Sequence, residues 1–345
     1  MILSDKNKLN RISRRIIMKI LGISCGRKMS NTEILVKEAL MGAEELGAEV
    51  ELVRLNDLNL KPCTGCNACV ISLLGKSSSG ECVLKDDFKF IEDKIMECDG
   101  LILGSPIYEK GPTGLLKILA DRMGPSHDVA FRMISKKMRA EKGITTGEPV
   151  DERSFKTRSA SVIAVGGSEW DTLALPLMEL TLISTHMDIV DKTLVNWVGL
   201  PGSVVFKEGA LEKANKSGRH VVQTLLDQTD RQITDDRAKP EYIGEQGICP
   251  LCHSKLIEIR NEDNNYPAIC AVCGVKGTLK VVDNKVKFEV AQEDRHHAHV
   301  FLSGKFEHGD ELNKISLKPN PRMAELPELL EKYKNYLSYS KPEVK

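Results

Sequence analysis

Residues 19–47, KILGISCGRKMSNTEILVKEALMGAEELG, decide the fold. KILGIS is a short apolar run ending at Cys25-Gly26, the pattern of a parallel strand buried on both faces. Ser30, Asn31 and Thr32 then stand where a helix needs a capping oxygen, Glu33 falls in the first turn, and Gly47 closes the helix. CGRKMSNT joins strand to helix with small, polar and basic residues. Unpaired N–H groups and the positive end of the helix dipole make such a junction an anion site, to which Arg27, Ser30, Asn31 and Thr32 add donors. A well-capped helix with a surface arginine is the competing account.

The same alternation continues outward. AEVELVRL (48–55), GLILGSPIY (100–108), SASVIAVGG (159–167) and MDIVDKTLV (187–195) read as strands. FKFIEDKIMECD (88–99), TGLLKILADRM (113–123), LALPLMELTLISTH (173–186) and GALEKANKSGRHVVQTLLDQ (209–228) read as helices. Five strands interleaved with helices imply an α/β fold with a doubly wound parallel sheet over 18–230. A polar linker at 231–241 leads to a small β domain at 242–300, and a charged tail at 301–345 carries a helix near MAELPELLEKYKNYL. Ligands of such sheets bind outside the carboxyl ends of the strands. There Pro106 fixes a turn, Tyr108 offers a flat ring, and Gly166 and Gly167 let backbone approach a planar ligand.

Composition narrows the function. Lys+Arg and Asp+Glu are both 49, so the footprint of a nucleic-acid binder is missing. No apolar run is long enough for a membrane span. SRRIIMK at 13–19 has the look of a twin-arginine export signal, but cleavage after the apolar residues that follow would remove the first strand. Residues 1–17 are therefore expected to be a flexible extension, and ten cysteines suit a reducing cytoplasm better than a disulfide framework.

The cysteines form two quartets. Cys63, Cys66 and Cys69 have C-x2-C-x2-C spacing, with Cys82 following after twelve intervening residues. Three thiols at this spacing can cap three corners of a cubane while a fourth comes from further away, so a [4Fe-4S] cluster leads; zinc, regulatory thiols and inert cysteines are the alternatives. Cys249, Cys252, Cys270 and Cys273 form C-x2-C-x17-C-x2-C, the spacing of a tetrathiolate zinc ribbon, though iron would accept the same ligands. Six basic against seven acidic residues between Glu241 and Glu289 make nucleic acid an unlikely target for this ribbon.

From Met18 to Gln228 the sequence resembles the NAD(P)H-dependent FMN reductase and iron-sulfur flavoprotein family, on GISCGRKMSNTEILV, CTGCNAC with CVLKDD, LILGSPIYEKGPTGLLKILADRM and VIAVGG. The resemblance implies a flavodoxin-like fold, a homo-oligomer and bound FMN. It puts Cys25, Arg27, Ser30, Asn31 and Thr32 at the phosphate and Pro106, Ile107, Tyr108, Gly111, Gly166 and Gly167 at the isoalloxazine. Cys25 replaces a serine common in the family. The gap before Cys82 exceeds the family's, and ISLLGKSSSGE (71–81) is expected to bulge out as a Gly/Ser loop. The expected function is to pass electrons from a nicotinamide through FMN and the cluster to a quinone, a nitro or azo compound or a redox protein. A non-enzymatic carrier trading electrons with ferredoxin is the alternative. No catalytic residue is fixed; Tyr108 and Lys110 are the candidates. Lys- and Arg-rich FRMISKKMRAEK (131–142) reads as a solvated helix face or as a recognition surface for a nicotinamide phosphate. Trp170 and Trp197 read as packing residues, Cys98 as buried, and His296, His297 and His299 as a weak metal motif.

Overall fold

The computed structural model describes residues 17–75, 79–228, 232–234, 237–260, 262, 265–317, 320–334 and 336–337. The expected extension lies outside these residues except for Ile17, as does the last part of the tail. Strands β1 (Lys19–Ser24), β2 (Glu49–Arg54), β3 (Gly100–Tyr108), β5 (Ser159–Val165) and β6 (Asp188–Val195) form a parallel sheet in the order β2-β1-β3-β5-β6. A two-residue strand β4 (Gly111–Pro112) folds back on the end of β3, an addition to the five parallel strands. The fold is flavodoxin-like, as the family resemblance implies.

Strand periodicity sorts the core into two layers. Leu21, Ile23, Leu101, Leu103 and Val162 pack under α3 (Phe88–Glu97), α4 (Gly114–Arg122) and α6 (Ala174–Ile183). Ile20, Ile102 and Ile163 face the other way, against α1 (Asn31–Glu44) and α7 (Ala210–Asp227). Those two helices touch backbone to backbone. A Cβ on Gly218 would lie 1.7 Å from the Ala39 carbonyl oxygen, and one on Gly42 would lie 2.1 Å from that of Asn215.

Among the described residues, two helices of seven or more residues escaped the sequence reading. ACVISLL folds as α2 (Ala68–Leu74), so the segment expected to be loop is helical as far as Leu74. In the tail, α8 (Leu302–Leu317) lies against α5 (Val129–Glu141). Leu302 there joins Val129, Val150, Phe155 and Ile233 in a small core, and Lys305 bonds Asp128 at 2.7 Å. The expected helix is present as α9 (Leu326–Lys334) after a tight turn at Met323–Glu325.

The small β domain is an antiparallel sheet, β7 (Ile257–Ile259), β8 (Ala268–Cys270), β9 (Lys276–Val282) and β10 (Lys285–Glu289), in the order β10-β9-β8-β7. Asp283 and Asn284, both at positive φ, make the tight β9–β10 turn. Its core is built around the cysteines, with Val272, Val275 and Phe288, and Ile183 of α6 joins it.

Candidate functional site

The loop after β1 is a cradle of unused donors. The Ser30 hydroxyl caps α1 by accepting from the Glu33 N–H at 3.4 Å. Met29, at φ 55°, reverses the chain just before it. Among the described residues, the main-chain N–H groups of Arg27, Lys28, Asn31 and Thr32 have no protein acceptor. Gly26 keeps the turn tight, since a Cβ there would come within 2.3 Å of the Ser30 oxygen. Arg27 is exposed and Thr32 buried. The Glu33 carboxylate is buried, which alone would raise its pKa; Arg54 at 2.6 Å and Lys37 at 2.8 Å outweigh that and hold it down at about 2. The one carboxylate beside the cradle is thus neutralised, and the cradle fits a phosphate monoester such as that of FMN.

Two predicted phosphate residues are otherwise engaged. The Asn31 side chain donates to the carbonyls of Val198 at 3.4 Å and Leu200 at 2.8 Å and accepts from the Val204 N–H at 3.1 Å, so it ties α1 to the loop after β6. Only its main chain faces the cradle unbonded. The Cys25 N–H donates to the Gly104 carbonyl at 2.9 Å. Burial pushes its thiol up to about 12 against a counteracting hydrogen bond with Ser105. The buried thiol therefore stays protonated beside Ser105.

Along the same rim, the Ser105 hydroxyl accepts from the Thr113 N–H at 3.1 Å and donates to the Pro106 carbonyl, fixing the hairpin that carries Ile107, Tyr108 and Gly111. Gly166 ends β5 directly over Ile107, whose Cδ1 would lie 3.1 Å from a Cβ. Its N–H and C=O bond Val195 and Val198. Tyr108 is 60% exposed, and Lys110 places its ammonium 3.9 Å from the Trp170 ring centre. Pro106, Ile107, Tyr108, Gly111, Gly166 and Gly167 therefore share one edge with the cradle. Trp170 and Trp197, expected to be packed, are 59% and 63% exposed on this rim, a correction that period-based reading could not supply because both lie in loops.

The first cysteine quartet sits on a clamped loop. The Asp86 carboxylate accepts from the Lys61 N–H at 2.7 Å and from Arg122, whose guanidinium also donates to the Lys61 carbonyl at 3.1 Å. Burial would raise the Asp86 pKa, but Arg122 and the main-chain donors pull it down to about 2. Between these fixed ends, Cys63, Cys66, Cys69 and Cys82 line a single cavity of about 70 Å³. Arg122 lines the same cavity, and Cys66 is shifted toward thiolate by the Ala68 N–H and then Thr64. No three of the four sulfurs come within 4.8 Å of one another.

The second quartet is drawn together. Cys249 and Cys273 are 3.7 Å apart and Cys252 and Cys270 3.4 Å, while two sulfurs on one tetrahedral zinc stand roughly 3.8 Å apart. Hydrogen bonds among the four thiols push Cys249 and Cys270 toward thiolate and Cys252 and Cys273 away from it. A single tetrahedral ion fits.

Other expectations resolve unevenly. The basic helix α5 is not simply a solvated face: Arg132 is buried, bonding the Ser126 carbonyl at 2.8 Å and the Ser154 hydroxyl at 2.7 Å, and Ser135 bonds the Leu73 carbonyl of α2. The segment thus supports the first quartet. Cys98 is buried. His296 and His297 meet Glu307 of α8, a carboxylate the sequence reading did not supply, while His299 faces His308 instead. No helix among the described residues is long and apolar enough to cross a membrane.

A family model described as NADPH-dependent FMN reductase matches residues 18–192. The chain is 33% identical over 274 residues to a flavone synthase of Aspergillus candidus, spanning 77% of this chain and 80% of that one. It is 42% identical over 120 residues to an iron-sulfur flavoprotein of Methanocaldococcus jannaschii, 34% of this chain and 58% of that. Among solved structures, a flavone reductase superposes with a TM-score of 0.75 at 30% identity, covering 94% of this chain and 100% of that chain.

Proposed function

The chain belongs to the NADPH-dependent FMN reductase family, and on that premise we propose that its electron acceptor is a planar, conjugated aromatic ketone of the flavone class. That it is an NAD(P)H-dependent flavin oxidoreductase follows from the family. The acceptor is supported by the reach of one likeness. The family model ends at residue 192, whereas the likeness to the flavone reductase spans 94% of the chain, a share that takes in the ribbon.

When bound, FMN supplies a carrier that takes hydride from a nicotinamide and gives it to a flat acceptor. The free N–H groups of the cradle, with Arg27 and Ser30, hold its phosphate. Pro106, Ile107, Tyr108, Gly111, Gly166 and Gly167 border its ring, and Tyr108 and Lys110 orient the partner laid against it. The overall reaction balances as NAD(P)H, a proton and flavone giving NAD(P)+ and flavanone. Hydride adds to the β-carbon of the enone and the proton to the α-carbon. The exposed Trp197, Leu200 and Phe206 support pairing with a second copy, as apolar side chains that such a contact would cover. Ten free thiols suit a cytoplasmic setting.

The test is anaerobic incubation of purified protein with NADH or NADPH and a flavone, followed by mass spectrometry. A product two hydrogens heavier is expected. Consumption of nicotinamide with menadione but no reduced flavone under either nicotinamide defeats the proposal. A second reading is favoured by the four thiols around one cavity. In it, single electrons leave through a [4Fe-4S] cluster to ferredoxin, a quinone, or a nitro or azo compound. It replaces the first if flavone is inert and one of these is reduced.

A further inference from the structure

Strand β6 is one edge of the parallel sheet, and the C-terminal chain closes over it at two places. The Ile243 and Gly244 N–H groups both donate to the Val190 carbonyl, at 2.9 and 3.2 Å. Further along, the Lys192 ammonium donates to the Cys252 carbonyl at 2.8 Å. Beside these contacts a cavity of about 560 Å³ opens, within the usual range for small-molecule sites. Leu175 and Pro176 of α6 form one side, Leu194 of β6 the floor, and Ile243 and Leu256 the roof. Tyr242 and His253 stack at 4.2 Å and 13°, which gives the roof a flat, rigid element.

The polar groups of this cavity are nearly all satisfied by one another. Glu179 pairs with Lys192 at 3.0 Å, Asp191 with His220 at 2.8 Å, Glu245 with Lys255 at 2.6 Å and Lys216 with Glu212 at 2.6 Å. Lys213, exposed at the mouth, has no ion pair among the described residues. The interior therefore offers paired charges and apolar surface, which suits a neutral ligand and disfavours an ion. Two buried polar atoms of the lining have no hydrogen-bond partner among the described residues: Glu179 Oε2, which still has its ion pair with Lys192, and the hydroxyl of Tyr242, a residue 7% exposed. Gly244 permits this arrangement, because a Cβ there would lie 2.5 Å from Asp191 Oδ1 and 2.7 Å from the Tyr242 hydroxyl. An orphaned buried hydroxyl in an apolar slot calls for a ligand atom to pair with. Toward the rim the cavity ends at Asp171 and Thr172, four and five residues beyond Gly167, where Asp171 accepts from Asn196 just past β6.

We propose that this cavity receives the outer ring of the aromatic acceptor, a neutral planar system bearing hydroxyl or keto groups whose enone lies against the flavin edge beyond Asp171 and Thr172, and that Tyr242 pairs with one of its oxygens. The inference rests on the flavone-class reading of the acceptor. It makes the metal-stapled ribbon a specificity element: it supplies the roof of a slot that the flavodoxin-like sheet lacks.

The test uses holoenzyme and the hydroxylated flavone apigenin. In Tyr242→Phe the KM for apigenin rises about tenfold while kcat changes little, since one buried hydrogen bond of roughly 1.4 kcal/mol is removed from binding. Leu256→Trp fills the slot from the roof and Leu175→Trp from α6; each weakens apigenin binding by more than tenfold in isothermal titration. Retained FMN and zinc content show that each variant is folded. Unchanged apigenin KM and binding in all three folded variants, with the flavone still reduced, overturns the cavity assignment alone. Failure of the wild-type protein to reduce any flavone removes the reading beneath it.

Discussion

The two cysteine quartets solve opposite problems. In the ribbon, Cys249, Cys270 and Cys273 are buried and are themselves the hydrophobic core. A domain this small has little else to bury, so its ligands and its fold are one object. On the rim, Cys63 and Cys66 are exposed and carry no packing, while other groups hold the loop in place: Asp86 and Arg122 at its base, and Ser135 against Leu73. On the proposed reading, similar residue types at similar spacing make a staple in one region and an open seat in the other.

The sharpest way to break this contrast is to remove one thiol from each. Cys270→Ser removes a ligand and a core residue together. The ribbon is expected to lose its zinc and unfold, a local loss on the order of 5 kcal/mol or more, seen as rapid hydrogen exchange over 242–300 with the sheet still protected. Arg122→Ala is expected to cost about 3–5 kcal/mol in urea unfolding, because both partners are within 1% of full burial and the Asp86 carboxylate is left without its counter-charge.

The same clamp gives a pH signature. Asp86 has a folded pKa of about 2 against an ordinary 3.8, so its contribution is fully present above 3.8 and is lost as pH falls toward 2. Of the wild-type stability advantage over Asp86→Asn, about 2 kcal/mol should disappear between pH 4 and 2. An advantage that stays constant over that range would deny the clamp its charge. The smallest stability effect belongs to Cys66→Ser, whose exposed side chain supports nothing. Its unfolding free energy should stay within about 1 kcal/mol of wild type while bound iron falls. A large destabilisation there would erase the distinction between seat and staple.

Much of the fold was legible because the signals were local. KILGIS, LILG and SVIAV are buried on both faces and read as continuous apolar runs; Ser30 caps the helix where its position says it should. The ribbon quartet was legible for the same reason, since C-x2-C loops place their own sulfurs. What escaped depends on distant partners. Helix α2 has only Leu73 fully buried and is held by α5, sixty residues on. Helix α8 folds against α5 through Leu302 and Lys305, and nothing in its own weakly amphipathic sequence announces that. Asn31 looked like a phosphate donor because it stands at a helix start, yet its amide is used to hold the chain near Leu200 and Val204, a choice visible only once β6 is in place. The cavity at β6 is assembled from α6, α7 and the ribbon approach, so no single stretch of sequence contains it.

Anaerobic purification with flavin, iron and zinc quantified per chain tests the central claim most directly. The account predicts about one FMN at the rim, about four irons on the exposed quartet and about one zinc in the ribbon. Protein that carries zinc but neither holds nor takes up FMN, with Arg27 and the cradle intact, would contradict it.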